Sequence, residues 1–256
     1  MTLAGRVTIL LPARNEAQRI AAAIENALET GEGAPVVLVD DGSSDRTLAI
    51  AARYVPRVTL VEAEGRGLAA ALNRGMAVVE TPLVARADAD DRSLPGRFRK
   101  QAELMESEPK LVLCATGVLE HAPSRPPQVL VPPTDPGELR RLLLRRNPLA
   151  HGATMLRVAA VRSVGGYDER LSYAQDYDLW LRLLDVGRFA VLSEILYERR
   201  APVGSDFRRK RRGQARACAR AQLRHFARTR RVAPGALLRN VVGGWWPGPR
   251  PSEWSF

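Results

Sequence analysis

The chain has 256 residues and a formal net charge of +11, and 45% of its residues are hydrophobic while 26% are charged. These values are typical of a soluble globular protein with one large domain or two small ones. The two cysteines, Cys114 and Cys218, lie far apart, which excludes a disulfide framework and the spacing of a metal-binding motif. No segment reaches the ~18 apolar residues of a membrane span, and the N-terminal apolar run is too short for a signal peptide, so we expect a cytoplasmic protein.

The positive charge is concentrated near the C-terminus. Residues 199–232 contain 13 Arg or Lys residues and one acid, a net charge of +12, so the rest of the chain sums to −1. The body therefore gives no reason to expect a polyanion-binding protein. We predict that the chain divides into a body, residues 1–204, and an Arg-rich C-terminal extension, residues 205–256.

Short apolar runs rich in Val and Leu alternate with helical patterns over the first 120 residues. The runs predicted as strands are 7–12, 35–41, 58–63, 83–91 and 111–118, and the helices between them cover about 16–30, 45–54, 67–79 and 96–107. This alternation predicts an α/β fold with a Rossmann-like, mostly parallel sheet. Continuous apolar strands suit a sheet that is covered on both faces, so we expect helices on both faces.

The second half of the chain continues the series after a Pro-rich stretch at 121–135, which we predict to be a loop. The elements predicted beyond it are a helix near 136–146, a strand at 150–157, a helix at 176–187 and a strand at 189–196. Arginines then recur every four residues, at Arg212, Arg216, Arg220, Arg224 and Arg228. On a helix this spacing forms one cationic stripe, so we predict a basic helical extension.

Three of the predicted strands end in charged residues. The residues that follow these strand ends are Arg14, Glu16, Asp40, Asp41, Asp88, Asp90 and Asp91. In open α/β sheets, ligands bind beyond the carboxyl ends of the strands. Acids collected at one rim indicate a site that reads a ribose or a base, a site for a divalent metal, or both.

Asp88 and Asp90 form the most distinctive of these patterns. If the fourth strand stays extended through residue 91, the two side chains share one face and repel each other unless a cation lies between them. Mg²⁺ or Mn²⁺ suits such carboxylates and bridges them to substrate phosphates. The alternative is that Arg86 neutralises Asp88 while Asp91 caps the next helix.

The other two strand ends also allow two interpretations. Asp40 and Asp41 can accept hydrogen bonds from a nucleobase N–H or a ribose hydroxyl, or they can belong to a turn, since the segment "DDGSSD" has turn chemistry throughout. Arg14 can bind a phosphate, or it can form a surface ion pair with Glu16. The residues alone leave both questions open.

Taken in order and spacing, the motifs resemble those of the family 2 glycosyltransferases, which have the A-type glycosyltransferase (GT-A) fold. The segments that carry the resemblance, over about residues 6–200, are "VTILLPARNEAQRIAAAIENAL", "VVLVDDGSSDRT", "GRGLAAALNRGM", "ARADADD", "GGYDE" and "QDYDLWLR". The resemblance implies that residues 1–204 form a catalytic domain. It also implies transfer of a sugar from a nucleotide diphosphate donor, usually a UDP-sugar, to a hydroxyl acceptor with inversion at the anomeric carbon.

The resemblance also implies roles for single residues. The donor-binding positions it matches are Pro12, Arg14, Glu16, Asp40, Asp41, Arg66, Gly67 and Asp88. The remaining positions it matches are Asp90 with Asp88 for Mg²⁺ or Mn²⁺, Gly165, Gly166 and Tyr167 for a loop that borders the acceptor, and Asp176 for the catalytic base. Of the two acids that could read the base, Asp40 is favoured because it ends the strand.

Direct displacement needs a base that deprotonates the acceptor hydroxyl as it attacks, which fits Asp176. The start of a helix lowers the pKa of a carboxylate. Asp178 and the apolar Trp180 act in the opposite direction, so the sequence leaves the sign of the shift open. His151 is a further candidate for the acceptor side, although a lone histidine is more often structural.

The chain departs from the family pattern at 197–206, where relatives often carry a histidine that completes the metal site. Arg199 and Arg200 occupy this neighbourhood. A metal would then rest on Asp90, the donor phosphates and water, or the two arginines would meet the diphosphate directly. A nucleotidyltransferase is a weaker alternative, because the segment "PARNEA" lacks a Gly-rich phosphate loop. A non-catalytic nucleotide-sugar-binding or membrane-docking protein of the same fold is the other alternative.

The basic extension suggests an anionic membrane as a partner. Its arginine stripe could lie along lipid headgroups, with Trp245, Trp246 and Trp254 as interfacial anchors. This would suit a saccharide or lipid-linked acceptor in cell-surface polysaccharide or glycolipid synthesis, with the protein peripheral to the inner face of the membrane. The alternative is a solvated extension. No nucleic-acid module accompanies the charge, so we expect no nucleic-acid partner.

Overall fold

The computed structural model describes residues 2–123, 125–201 and 206–229, and it describes residues 206–212 by their backbone alone. Within these ranges one sheet has nine strands: β1 Val7–Ala13, β2 Val36–Asp40, β3 Thr59–Glu62, β4 Leu83–Arg86, β5 Arg92–Ser93, β6 Leu111–Ala122, β7 Arg125–Leu130, β8 Met155–Arg157 and β9 Arg188–Arg200. The helices are α1 Ile20–Thr30, α2 Thr47–Ala51, α3 Leu68–Ala77, α4 Arg97–Ser107, α5 Pro136–Leu143, α6 Val158–Ser163, α7 Gln175–Leu183 and α8 Asp206–Thr229.

The strands follow the order β3-β2-β1-β4-β8-β6-β9-β5, and β7 pairs with β6 at the side. The first four strands of this order are parallel, as their apolar runs predict, with Ala13 opposite Asp40 and Asp40 opposite Glu62. β6 and β9 are also parallel, whereas β8 joins β4 to β6 through two antiparallel pairings. Because β1, β2 and β4 run in one direction, the residues that follow them meet at one rim of the sheet.

Helices cover both faces of the sheet, as predicted. Ile9 and Leu11 of β1 are fully buried in a cluster with residues of α1 and α4. Leu10 lies between them in sequence and is fully buried in a second cluster with residues of α3 and α7. Successive side chains of a strand point to opposite faces, so a strand that is apolar throughout needs both layers.

The fourth strand is shorter than predicted. The sequence predicts a strand over 83–91, but β4 ends at Arg86, whose N–H donates to Thr154 O at 2.9 Å. The chain then turns, and the N–H of Asp91 donates to the carbonyl of Asp88 at 3.3 Å. The prediction that Asp88 and Asp90 share one face of an extended strand is therefore wrong, because a tight turn rather than a pleat sets their directions.

Two other segments differ from their predicted form. Part of the Pro-rich stretch 121–135 is the strand β7, which pairs antiparallel with β6 and places Leu130 opposite Val118. Proline is tolerated there because β7 has β6 as its partner in the described sheet and leaves its other edge without a ladder. The predicted strand 150–157 begins with a single 3-10 turn at His151–Ala153, and β8 covers only its last three residues.

The described part of the basic extension is the helix α8, which packs against α7. Ala217 and Ala221 are buried in the core cluster that also contains Trp180 of α7. Arg224 and Arg228 form ion pairs at 2.7 Å with Asp168 and Asp185, while Arg216 and Arg220 are exposed. Within the described residues, two arginines of the stripe therefore pair with acids of the body, and two face solvent. The side chain of Arg212 and the three tryptophans Trp245, Trp246 and Trp254 lie outside the described residues.

In the described ranges, none of the helices combines the length and the apolar character that crossing a membrane requires.

Candidate active site

Asp40 is the last residue of β2 and is buried at the rim of the sheet. Its Oδ2 accepts a hydrogen bond from the N–H of Ser43 at 3.0 Å. Its Oδ1 is buried, and no described protein group donates to it. A buried carboxylate oxygen without a donor is costly, so this atom is suited to accept a hydrogen bond from a ligand.

Asp41 connects the loops that follow β1, β2 and β3. Its Oδ1 accepts a hydrogen bond from the N–H of Gly67 at 3.2 Å, and its Oδ2 lies 3.6 Å from Nη1 of Arg14. The same Nη1 donates to the carbonyl of Gly65 at 3.4 Å. A Cβ added to Gly42 would come within 3.0 Å of the Gly65 backbone, so these loops pack too closely for a side chain there. Three of the predicted donor-binding residues are thus brought together.

The other predicted donor-binding residues lie nearby. Pro12 is buried in β1, and Glu16 forms an ion pair with Arg19 at 3.0 Å rather than with Arg14. Arg66 is 64% exposed and lies 3.3 Å from Glu64 and 3.4 Å from Glu169. Glu169 follows the predicted acceptor loop, so Arg66 links the donor side of the rim to the acceptor side.

Asp88 is held by Arg86, which is fully buried at the end of β4. Arg86 also donates from Nη1 to Leu10 O at 3.0 Å and from Nε to Nε2 of His151 at 3.3 Å. Although burial acts to raise the pKa of Asp88, the guanidinium of Arg86 outweighs it and holds that pKa below its usual value. Asp88 is therefore ionised at neutral pH, as the neutralising alternative predicts, and it remains at the rim.

His151 joins this pair to the predicted acceptor side. Its Nε2 lies 2.9 Å from the hydroxyl of Tyr167, and its ring packs edge-on against Trp180 with centroids 5.7 Å apart. Burial, reinforced by the charge of Arg86, lowers the pKa of His151 to about 3, so the ring is neutral. Since Arg86 can only donate, Nε2 is the acceptor and the proton of the ring lies on Nδ1.

Tyr167 is placed by the two glycines before it. Gly165 and Gly166 have φ values of +82° and +69° and end α6 with bonds to Arg162 O and Val161 O. The backbone of Tyr167 then bonds to the side chain of Asn73 twice, its N–H to Oδ1 and its carbonyl to Nδ2, both at 2.9 Å. Asn73 had no predicted role, although it lies within the motif "GRGLAAALNRGM".

Asp90 and Asp91 complete an acidic group around Asp88. Partial loss of solvation, followed by the charge of Asp88, raises the pKa of Asp90. Burial and then the charges of Asp88 and Asp90 raise the pKa of Asp91 to about 7. Asp91 accepts hydrogen bonds from the Tyr197 hydroxyl at 3.0 Å and from the N–H of Arg200 at 3.1 Å. The charge of Asp88 thus raises the pKa of both neighbouring carboxyls, and such a group of acids favours a cation.

The residues fit a divalent metal only as a partial set of ligands. Throughout the described ranges, no group of three or more His, Cys, Asp or Glu side chains is arranged to hold a metal. Asp88 and Asp90 could supply two carboxylates, which matches the preference of Mg²⁺ for few protein ligands together with phosphates and water. Arg199 bonds to Glu120 at 2.8 Å, so the structure directs it away from a diphosphate.

Asp176 lies in the first turn of α7, with Ala174 before it in the left-handed conformation at φ +55°. Its Oδ1 accepts from the N–H of Tyr177 and its Oδ2 from the side chain of Asn147, both at 2.8 Å. Burial outweighs these hydrogen bonds and raises the pKa of Asp176, and the nearby charge of Asp88 adds to the effect. The pKa of Asp176 is therefore raised, which is the direction that the sequence left open.

Arg97 is a site residue for which the sequence predicts no role. It is fully buried, and its guanidinium stacks 4.8 Å from the ring centre of Phe98 and 4.7 Å from that of Tyr197. It donates to the carbonyl of Arg86 at 2.8 Å, which fixes the end of β4. Burial lowers its pKa to about 10, so it stays charged at neutral pH. Its contacts join residues distant in sequence, which no local pattern reveals.

Comparison with known proteins connects this arrangement to a family. The family described as "Glycosyl transferase family 2" matches residues 8–163. The amylovoran biosynthesis glycosyltransferase AmsE of Erwinia amylovora is 37% identical over 70% of this chain and 68% of its own length. The putative glycosyltransferase EpsE of Bacillus subtilis is 31% identical over 75% of this chain and 72% of its own length.

Solved structures share the fold. The Pyrobaculum calidifontis mannosyltransferase PcManGT, in complex with GDP-Man and Mn²⁺, superposes with a TM-score of 0.66 over 97% of this chain and 77% of its own, at 19% identity. TarS of S. aureus in complex with UDP superposes with a TM-score of 0.63 over 88% of this chain and 73% of its own, at 20% identity. The predicted GT-A fold is thereby confirmed.

Proposed function

The chain belongs to glycosyl transferase family 2, and from this premise we propose that it transfers a sugar from a nucleotide diphosphate sugar to an acceptor hydroxyl with inversion at the anomeric carbon. The observation that carries the proposal is the position of Asp176. It is a half-buried carboxylate in the first turn of α7, held by two hydrogen bonds, and loss of solvation raises its pKa.

In the proposed reaction, Asp176 accepts the proton of the acceptor hydroxyl as that oxygen attacks the anomeric carbon. The bond between this oxygen and the anomeric carbon forms while the bond from that carbon to the diphosphate oxygen breaks. The nucleoside diphosphate leaves with the electron pair, and the proton stays on Asp176. A raised pKa makes Asp176 a stronger base than an ordinary carboxylate, provided that the pH is high enough to ionise it.

We propose that the donor lies along the rim, with its base at Asp40 and its diphosphate near Asp88 and Asp90. The free Oδ1 of Asp40 supports the position of the base. A divalent ion, Mg²⁺ or Mn²⁺, would be held by Asp88 and Asp90 and would neutralise charge on the diphosphate. We propose a UDP-sugar as the donor; the UDP in TarS and the Mn²⁺ in PcManGT are consistent with this class of ligand and ion.

We propose an acceptor that belongs to a growing cell-surface polysaccharide or to a lipid-linked saccharide. The names of the relatives support this, since one concerns amylovoran biosynthesis and another, 30% identical over 75% of this chain, is the succinoglycan biosynthesis protein ExoU of Rhizobium meliloti. Gly165, Gly166, Tyr167 and His151 would border the acceptor. In support of this, the Tyr167 hydroxyl lies 2.9 Å from Nε2 of His151, and the His151 ring packs on Trp180 of α7, the helix that carries Asp176.

A thermal-shift assay with a panel of nucleotide sugars tests the donor assignment. At a donor concentration of about 100 times Kd, binding adds roughly 2.7 kcal/mol, which raises the Tm of a chain this long by about 5–10 °C. We expect this rise with one class of donor, and only with Mn²⁺ or Mg²⁺ present. Asp90→Ala should remove the metal-dependent rise, whereas the matched control Asp135→Ala, at the N-cap of α5, should keep it. A flat response across the panel would remove the donor assignment.

We propose further that residues 1–204 form the catalytic domain and that the extension, residues 205–256, mediates peripheral contact with the anionic inner face of a membrane. The exposed side of α8 supports this, because Arg216 and Arg220 lie beside Leu223 and Phe226, which are each 44% exposed. Each arginine near such a surface contributes about 1 kcal/mol, so Arg216→Gln with Arg220→Gln should weaken vesicle binding roughly 30-fold.

Sedimentation with phosphatidylserine-rich vesicles measures this contact, and neutral phosphatidylcholine vesicles are the control. Donor binding should be unchanged in the double variant, because both arginines are exposed on α8 and the proposed donor-binding residues lie on other elements. A wild-type protein that does not sediment with the anionic vesicles would contradict the membrane proposal.

A further inference from the structure

The helix α8 contacts both segments that hold Asp176. The apolar residues Ala217 and Ala221 anchor it in the core beside Trp180. Cys218 is partly buried on the same side, and burial followed by the charge of Asp176 raises the pKa of its thiol to about 12. The extension therefore reaches the helix that carries the proposed base, although Ala217 and Ala221 lie more than 30 residues beyond the end of α7 in the sequence.

Gln222 is the polar centre of this contact and is 3% exposed. Its Nε2 donates to the hydroxyl of Tyr177 at 3.0 Å. It also donates to the carbonyls of Leu144 and Arg145, at 3.3 and 3.1 Å. The two N–H bonds of this amide are shared among the three acceptors. They reinforce a direct link between α7 and the end of α5, in which the Tyr177 hydroxyl donates to the carbonyl of Leu143 at 2.7 Å.

The same two segments supply the hydrogen bonds to Asp176. Tyr177 donates its backbone N–H to Oδ1, and Asn147, two residues after Arg145, donates its side chain to Oδ2, both at 2.8 Å. The two donors come from elements that no regular secondary structure connects. Gln222 spans the gap between them, because it bonds to one residue of the first segment and to two backbone carbonyls of the second.

We propose that Gln222 is a positioning residue that acts on Asp176 through Tyr177 and Asn147. By fixing the segment 144–147 against α7, it keeps both donors on the carboxylate at once. This inference rests on the proposed role of Asp176 as the base. A displacement of about 1 Å in such a constellation can cost up to ~100-fold in rate, so a residue that touches no substrate can still set the rate.

Other contacts of α8 hold the same region. Arg224 bonds to Asp168 at 2.7 Å, directly after Tyr167 in the predicted acceptor loop. Gly213 packs so closely on the ring of Tyr173 that an added Cβ would lie 2.7 Å from it. These contacts dock the helix from both sides of Gln222, so a change at Gln222 alone leaves the docking surface largely in place.

The test uses the full chain with Gln222→Met, which keeps the volume but removes the donor. Gln222→Glu is the second variant, because its carboxylate keeps the shape but turns oxygens toward the two carbonyls. Gln214→Met, the same change at an exposed position of the same helix, is the matched control. For both Gln222 variants we expect kcat to fall about tenfold while the donor KM stays within twofold, and Gln214→Met should match wild type.

The pH profile separates positioning from a general loss of structure. The hydrogen bonds from Tyr177 and Asn147 lower the pKa of Asp176, whereas burial raises it. If Gln222→Met weakens these hydrogen bonds, the pKa of Asp176 rises, and the acid limb of kcat should move to higher pH. Alkylation of Cys218 reports whether α8 stays docked, with the fully buried Cys114 as an internal reference. A lower kcat with an unmoved acid limb and a tenfold faster alkylation of Cys218 would overturn the proposal, since it indicates simple undocking.

A double-mutant cycle tests the route of the effect. In an Asn147→Ala background, Gln222→Met should lower kcat by less than about twofold, because the donor that it positions is already absent. A full tenfold loss in that background would overturn the proposal.

Carbon-13 NMR titration of the Asp176 carboxyl, assigned by its absence in Asp176→Asn, needs no turnover. It should show a higher pKa in Gln222→Met than in wild type. If the wild type transfers no sugar, the proposed function fails while this titration still reports on positioning. An active wild type whose Asp176 pKa is unchanged by Gln222→Met would overturn the positioning role alone.

Discussion

Replacing Asp176 by Asn should abolish most sugar transfer while leaving the donor site intact. General base catalysis contributes about 10²–10⁴-fold, so kcat should fall by that factor, equivalent to roughly 3–5 kcal/mol of transition-state stabilisation. Donor affinity should stay within about threefold, because the residues proposed to bind the donor lie on other elements. Asn is nearly isosteric, so the helix start is preserved.

The structure also sets the pH dependence of this change. Burial raises the pKa of Asp176, so kcat of the wild type should be lost as the pH falls through that raised value, at a higher pH than for an ordinary carboxyl. The introduced amide does not titrate in this pH range, so the residual rate of Asp176→Asn should not fall with the protonation of residue 176. The Asn amide can accept from only one of Asn147 and Tyr177, and the lost hydrogen bond costs about 1 kcal/mol of stability.

Single-turnover kinetics with a bound donor, together with calorimetric donor binding, measure the two effects separately. Asp178→Asn is the matched control on the same helix, since Asp178 pairs with Arg182 and has no place in the proposed reaction. The reasoning is refuted if Asp176→Asn turns over within tenfold of wild type, or if its residual rate keeps the same acid limb.

Two further predictions follow from the rim. Asp40→Asn should weaken nucleotide binding by about 10–100-fold, because an amide donor can replace the free acceptor Oδ1. Asp41→Asn should weaken nucleotide binding less, because the oxygens of Asp41 already bond to protein groups. If calorimetry ranks the two variants in the reverse order, Asp41 rather than Asp40 binds the base. Asp88→Asn should destabilise the fold by about 3–5 kcal/mol at pH 7, since it leaves Arg86 buried without its partner. Because the folded pKa of Asp88 is lowered, this difference should shrink in urea titrations as the pH falls through that value, and a difference independent of pH would contradict the pairing.

The strands and their polar ends could be predicted from the sequence because each depends on a local pattern. The apolar runs of β1 and β2 are continuous because both faces of the sheet are covered, and this made their ends at Ala13 and Asp40 recognisable. The end of β4 was not predictable in the same way. Arg86 is polar, but it is buried by Leu10 and His151 from distant segments, so its place at the end of the strand depends on contacts that spacing does not encode.

The supports of the proposed base were also beyond the reach of sequence reasoning. Asp176 was found by its motif, but Asn147 lies 29 positions before it, and Gln222 bonds to Tyr177 across 45 positions. The arginine stripe was predicted correctly as a helical spacing. Its division into exposed and ion-paired members depends on where α8 packs, and only the tertiary structure shows this.

The proposed inversion is tested most directly by proton NMR of the purified chain as it turns over its preferred nucleotide sugar with Mn²⁺ or Mg²⁺, with water or a saccharide as the acceptor. We predict release of the nucleoside diphosphate, with the first-formed sugar product in the anomeric configuration opposite to that of the donor. A product that retains the donor configuration would contradict direct displacement with Asp176 as the base. A donor that binds without any release of nucleoside diphosphate would instead support the non-catalytic alternative.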